Sequence, residues 1–156
     1  MKKVLIVVAA VLACLAVCKL VLTSAGSDED QVRGILSGAV EAAEGRNLKK
    51  LSGWLHEDFR AAEGPYNRNE VLDIVGKTFL AFHVIRVEMQ GLEIQMVDET
   101  TARATFVATI RASLNARSSE QDLTSYRGGD RFSLTFKKTG GKWLLLASEA
   151  VKSTAN

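Results

Sequence analysis

The chain has 156 residues, enough for one domain with a buried core, and its 47% hydrophobic and 24% charged residues are typical of a globular protein. Three of the 20 basic residues and none of the 18 acidic ones precede Asp28, so the formal net charge of +2 falls to −1 for the remainder. This balance excludes the strongly basic surface typical of nucleic-acid-binding proteins, and we expect no nucleic-acid partner.

The first 27 residues have the pattern of an export signal or a membrane anchor. Two lysines at positions 2 and 3 precede an apolar stretch from Val4 to Leu22 that Lys19 interrupts. A basic head, an apolar middle and a small-residue exit are the parts of a signal peptide, and about 19 residues also span a bilayer. The leading lysines favour an extracytoplasmic domain. We therefore expect a protein of the cell envelope, membrane-anchored or secreted, with its domain on the periplasmic side.

Three fates of this segment remain open. It is an uncleaved anchor, a signal cleaved after the small residues Thr23 and Ala25, or a lipoprotein signal with Cys18 as the modified residue. Cys14 and Cys18 are the two cysteines of the chain, so the domain has no disulfide. The expected divisions are the segment 1–27, a domain over 28–152 and a tail over 153–156.

Three segments after residue 28 predict helices. The first has apolar residues at helical spacing from Val32 to Ala43 and ends at Gly45, and the second spans about Leu48 to Leu55. The third begins with a capping box, in which the N-cap Asn67 is followed three residues later by Glu70. Its apolar face is widened by Leu72 and Leu80, which predicts burial on more than one side.

From Val84 to Val151 the apolar residues alternate with a period of two, which predicts four long strands. The alternation changes phase at Gly91, as a β-bulge would produce, so we expect the first strand to bend. The second strand has an alanine-rich core face, which leaves room for closely packed helices or for a cavity. The third spans about Leu123 to Lys137, and the fourth follows a turn at residues 139–143. Helices followed by antiparallel strands predict an α+β fold.

In this order of elements the chain resembles the NTF2-like superfamily and its SnoaL-like branch. The resemblance covers about Asp28 to Val151 and depends on the element order, the loop with Gly64-Pro65 and the closing strand with Gly140-Gly141-Lys142-Trp143. It implies a cone in which three helices pack on a curved antiparallel sheet around a pocket, and a homodimer through the outer sheet face. The pocket candidates are Trp54, Tyr66, Phe106, Phe132 and Trp143.

Two carboxylates are candidate catalytic bases. Glu149 alternates with Trp143 on the last strand and is expected to face inward, where burial would raise its pKa. Glu63 is near the place where, by the resemblance, ketosteroid isomerase-like members have an aspartate before the loop proline. The tyrosine donor of those members would fall near Gly38, which has no side chain. His56 with Asp58 could be an acid–base pair or half of a metal site, but two such residues at a helix exit are more often capping and surface groups.

No cofactor or metal is expected, because the chain has two histidines and its domain has no cysteine. The favoured function is a non-catalytic binding or assembly module with a hydrophobic pocket, held at the membrane and engaging itself or an envelope protein. The alternative is a SnoaL-like enzyme that performs proton transfer, of the isomerase, dehydratase or cyclase type, on a small hydrophobic substrate. A pocket filled by Phe106, Phe132 and Trp143 would exclude the enzyme.

Overall fold

The structure is a computed structural model that describes residues 26–61, 66–124 and 129–151. Within these residues three helices and seven strands form an α+β arrangement, with all three helices before the five strands of the C-terminal half. The helices are α1 (Asp28–Glu44), α2 (Leu48–Ser52) and α3 (Arg68–Ala81). The strands are β1 (Leu55–Ala61), β2 (Tyr66–Asn67), β3 (Val84–Asp98), β4 (Thr101–Ser113), β5 (Gln121–Asp122), β6 (Asp130–Thr139) and β7 (Lys142–Val151).

The described strands form one mixed sheet in the order β2-β1-β7-β6-β4-β3, with β5 paired to β4. The four long strands predicted from the sequence are present, and their mutual pairings are antiparallel. The third begins at Asp130 and not near Leu123, as predicted. Strand β1 was not predicted, and it runs parallel to β7. The helix expected to continue to Leu55 ends at Ser52, with Gly53 as its C-cap.

Local sequence signals explain where the two longer helices begin. Ser27 is the N-cap of α1: its hydroxyl accepts from the Asp30 amide at 3.2 Å, and the Asp30 carboxylate accepts from the Ser27 amide at 3.0 Å. Acidic residues in this first turn also suit the helix dipole. The predicted capping box of α3 is confirmed, with Asn67 as N-cap and Glu70 three residues on.

Helix α3 buries one side only. It contacts the core through Val71, Val75 and Phe79, whereas Leu80 is 89% exposed. The prediction that Leu80 is buried on a second side is wrong, because the sheet lies on one side of α3 and the helix ends one residue later.

The predicted bend in β3 is confirmed. Gly91 has φ of +64°, a left-handed conformation that favours glycine, and the pairing of β3 with β4 shifts register between Gln90 and Glu93. The inward side changes there from odd-numbered to even-numbered residues. This bulge gives the sheet part of its curvature over the helices.

A second bulge, in β7, was not predicted. Leu145 and Ala147 pair with consecutive residues of β6, so Leu146 is the extra residue. Leu145 is buried before the bulge, and Ser148 is buried after it. The expectation that Glu149 faces inward is therefore wrong, since the alternation on which it was based changes phase at Leu146.

The core lies between the helices and the concave face of the sheet. The alanines of β4 on this face are fully covered, so they accommodate closely packed neighbours. The largest fully buried side chains around them are Phe59, Phe132, Phe136, Leu36, Leu51, Ile110 and Leu134. Among the described residues no helix is long and apolar enough to cross a membrane; the apolar segment expected to do so lies within residues 1–25, outside those residues.

Candidate functional site

The concave face of the sheet, where the sequence predicted a pocket, is occupied by aromatic side chains. Phe106, Phe132 and Trp143 are each at most 3% exposed. The rings of Phe106 and Phe132 pack with centroids 5.9 Å apart and planes tilted by 36°, a geometry favourable for aromatic pairs. Three of the five pocket candidates are thus part of the packed core. The other two, Trp54 and Tyr66, are half-buried at its edge.

The two predicted catalytic carboxylates do not converge on this face. Glu149 is exposed and lies opposite Ser133 on the convex side of the sheet. Its side chain is therefore solvated and lacks the burial that the sequence prediction assumed. Glu63 lies outside the described residues.

Two buried polar residues that sequence reasoning missed do face the concave side. Asp130, at the start of β6, is 8% exposed and pairs with the buried Ala108 of β4. Ser148 is 1% exposed, and its hydroxyl has no hydrogen-bond partner among the described residues. Asp130 could have been placed on this face from the sequence, because alternate residues of a strand point to the same side and Phe132 and Leu134 were predicted to face inward. No sequence signal marks Ser148, because the bulge before it contains no glycine.

Asp130 and Ser148 are too far apart to act on adjacent atoms of a small molecule. Ser148 lies opposite Leu134, which is four residues from Asp130 along β6. At about 3.3 Å per residue, that separation is about 13 Å. Phe132 occupies the same face between them, opposite Ala150. The described part of the concave face therefore contains no close acid–base pair built from these two groups.

His56, the other candidate acid–base residue, makes hydrogen bonds that connect elements of the fold. It is buried, its Nε2 lies 3.2 Å from the Thr139 hydroxyl, and its Nδ1 accepts the Asp58 amide at 3.1 Å. Because Nδ1 accepts, the ring is the Nε2–H tautomer and donates to Thr139. The imidazole thus joins β1 to the β6–β7 turn. No three His, Cys, Asp or Glu side chains converge as a metal site anywhere in the described ranges.

A three-residue cluster joins the start of α1 to the same turn. The Asp28 carboxylate accepts from Lys138 Nζ at 2.6 Å and from the Trp143 indole N–H at 3.0 Å. Lys138 Nζ also lies 5.7 Å from the centre of the Trp143 ring, within cation–π range. The Lys138 hydrogen bond, and then that of Trp143, lowers the pKa of Asp28 below its ordinary value. The closing Gly-Lys-Trp strand is thereby held to the first turn of α1.

Two grooves are present on the outside of the domain. One, of about 740 Å³, lies between the α1–α2 turn and α3 and includes Leu72, Gly76 and Leu80. The other, of about 490 Å³, lies between the first turns of α1, the α2–β1 junction and the start of β7. We call the second the tryptophan groove; it is lined by Gln31, Gly34, Ile35, Gly53, Trp54, Gly141, Lys142, Trp143 and Leu144.

Trp54 is held in the tryptophan groove by contacts on two sides. Its indole lies against α1 at Gly38, where a Cβ atom would be only 2.7 Å from the ring. Its carbonyl accepts the Leu145 amide at 2.7 Å, which fixes the α2–β1 junction to β7. Lys50 Nζ lies 5.6 Å from the ring centre. The groove therefore has one wall whose position depends on the absence of a side chain at Gly38.

Comparison with known proteins identifies the fold. No family model and no curated protein matches the chain. An NTF2-like protein with a cystatin-like fold from Novosphingobium aromaticivorans superposes with a TM-score of 0.66 at 16% identity, over 83% of this chain and 84% of that one. A candidate dehydratase of the NTF2-like family from Streptomyces avermitilis gives 0.65 at 17% identity, over 82% and 97%.

A candidate scytalone dehydratase from Novosphingobium aromaticivorans also superposes, with a TM-score of 0.61 at 16% identity, over 71% of this chain and 74% of that one. Identities this low establish a common fold and leave activity undecided. The fold is NTF2-like, which confirms the fold that the resemblance implied.

Proposed function

We propose that this NTF2-like domain is an extracytoplasmic binding or assembly module, held at the membrane by residues 1–27. The observation that carries the proposal is the filled concave face. Phe106 and Phe132 pack against each other where a substrate would bind, and the predicted inward carboxylate Glu149 faces solvent. A core of this kind stabilises the domain, and its exterior is then the surface available to a partner.

The convex face of the sheet is the surface we assign to self-association. Its middle rows have short or β-branched side chains that are half-buried in the monomer, including Thr105, Val107, Ser133 and Thr135. Short side chains allow a second sheet to approach closely, and threonine and valine suit packing across strands. A second copy of the chain would pair this face with itself in a two-fold arrangement.

Photo-crosslinking of the full chain in its membrane tests both parts of the proposal. A photoreactive amino acid at Thr105, on the convex face, should give a product of twice the chain mass. The same amino acid at Lys77, an exposed residue of α3, is the matched control and should give none. Equal yields from both positions, or release of the chain from membranes by high salt, would contradict the proposal.

The filled concave face counts against the second candidate, a proton-transfer enzyme of the SnoaL-like type, but one observation favours it. Asp130 is a buried carboxylate on the concave face, where it would serve as a base if Phe132 moved aside for a small hydrophobic substrate. Exchange of solvent deuterium into the α-carbon of small cyclic ketones tests this function. Catalysed exchange that is lost in Asp130→Asn would favour the enzyme, and exchange at the uncatalysed rate would favour the module.

A further inference from the structure

We propose that the tryptophan groove binds a small planar molecule with an anionic group, such as an aryl carboxylate. The groove lies on the outside of the domain; it shares Trp143 with the concave face but includes none of the convex residues that we assign to self-association. The inference therefore goes beyond the proposed assembly function and does not depend on it. Its volume of about 490 Å³ is within the range of small-molecule sites, about 300–1,000 Å³.

The walls of the groove are aromatic and fixed in place. The chain has two tryptophans, and both line this groove. Trp143 is 3% exposed, and its indole N–H is bound to Asp28 at 3.0 Å. Trp54 is positioned against Gly38 of α1. Two indoles that are already ordered lose little conformational entropy when a flat ligand binds in the groove that they line.

Gly34 leaves one side of the groove open, although no neighbouring atom requires a glycine at this position. It lies within α1, where glycine is a poor helix former. A Cβ atom there would have no other atom within 4 Å, so no neighbour requires the glycine. One turn later, Gly38 is covered by the Trp54 indole. Gly34 is thus the uncovered continuation of the surface on which Trp54 lies, and a second planar group fits there.

The charges at the rim select an anion. Lys142 lines the groove, is exposed and has no ion-pair partner among the described residues. The Asp28 carboxylate next to Trp143 is already bound by Lys138 at 2.6 Å. The uncompensated charge on the groove lining is therefore positive, and a carboxylate on the ligand would pair with Lys142. A cation of the same shape would be repelled.

Nuclear magnetic resonance of the full chain in detergent micelles tests the site directly. The two indole N–H groups give two separate signals, and the probe is naphthalene-2-carboxylate. We expect a saturable shift of the Trp54 signal, about tenfold weaker apparent binding in Gly34→Leu, and binding several-fold weaker in Lys142→Gln. The cationic analogue 2-(aminomethyl)naphthalene should bind several-fold more weakly than the carboxylate. An unshifted Trp143 signal in the ligand-free variants shows that they fold.

Three results would overturn the proposal: a shift that does not saturate, equal binding by Gly34→Leu, or equal binding of the cationic analogue. Unchanged affinity in Lys142→Gln would also refute the anion assignment. The experiment contains no partner protein. A failed cross-link from Thr105 would consequently count against the assembly function alone, and a failed titration would count against the groove alone.

Discussion

Replacing Gly38 by alanine should make the domain less stable than replacing Gly34 by alanine, although both glycines lie in α1, one turn apart. In a helix, alanine is favoured over glycine by about 0.8–1.0 kcal/mol. At Gly34 the added methyl group meets nothing within 4 Å. The free energy of unfolding should therefore rise by about the whole of that amount in Gly34→Ala.

At Gly38 the same gain is opposed by a steric overlap. The new Cβ atom would lie 2.7 Å from Cη2 and 2.9 Å from Cζ2 of Trp54, whereas carbon atoms in contact are about 3.5–4.0 Å apart. The indole must move by about 1 Å, and overpacking of this kind costs about 1–3 kcal/mol. Because helix propensity contributes equally to both variants, Gly38→Ala should be less stable than Gly34→Ala by about 1–3 kcal/mol.

Thermal unfolding of the full chain, followed by near-ultraviolet circular dichroism in one detergent, measures this difference. At about 2–4 °C per kcal/mol for a chain of this size, the two melting temperatures should differ by about 2–12 °C. The near-ultraviolet signal of Trp54 should also change in Gly38→Ala and stay unchanged in Gly34→Ala. Equal melting temperatures would show that the indole does not lie on α1, and the groove would lose one wall.

Three further substitutions test the rest of the structure. Asp28→Asn should reduce the loss of stability that the domain shows at acidic pH. Hydrogen bonds from Lys138 and Trp143 lower the pKa of Asp28 below about 3.8. The stabilisation from these bonds is therefore present above that pH and is lost as the pH falls through the lowered pKa. An unchanged pH dependence below about pH 4 would show that the Asp28 cluster does not stabilise the domain. Phe132→Ala should reduce the free energy of urea unfolding by about 3–5 kcal/mol; a loss below 1 kcal/mol would indicate an open pocket, on the same scale. Ser148→Ala should be neutral or stabilising by about 1 kcal/mol, because it removes a buried hydroxyl that has no partner in the described part of the chain; a clear loss of stability would reveal a partner.

The two bulges show how far the sequence determined the strands. Gly91 interrupts an alternating pattern, so the change of phase was visible and the bend was predicted. The second bulge occurs at Leu146, within three consecutive leucines. In a continuous apolar run either the odd-numbered or the even-numbered residues can face the core, because every one of them is hydrophobic. The side on which Glu149 lies was therefore set by pairing with β6, which local sequence does not encode.

Strand β1 was missed for a similar reason. Its parallel partner, β7, follows about 90 residues later, with Leu55 aligned to Leu145, and such long-range pairing overrides local preference. Its buried positions are irregular, with Leu55 and His56 both covered, so it has no clean period of two. The helix caps depend on residues three positions apart, and the capping box at Asn67 was for that reason predicted correctly.

The distribution of large and small residues agrees with the proposal that binding occurs on the outside of the domain and not on its concave face. Each buried phenylalanine on the concave face contributes several kcal/mol to folding, about 3–5 kcal/mol on truncation to alanine, and removes volume that a ligand would need. Gly34 does the opposite: it weakens α1 by about 1 kcal/mol relative to alanine and leaves open space on one wall of the tryptophan groove. Substitutions that open a cavity on the concave face should therefore lower the stability of the domain. Substitutions that fill the tryptophan groove should lower only its affinity for a ligand.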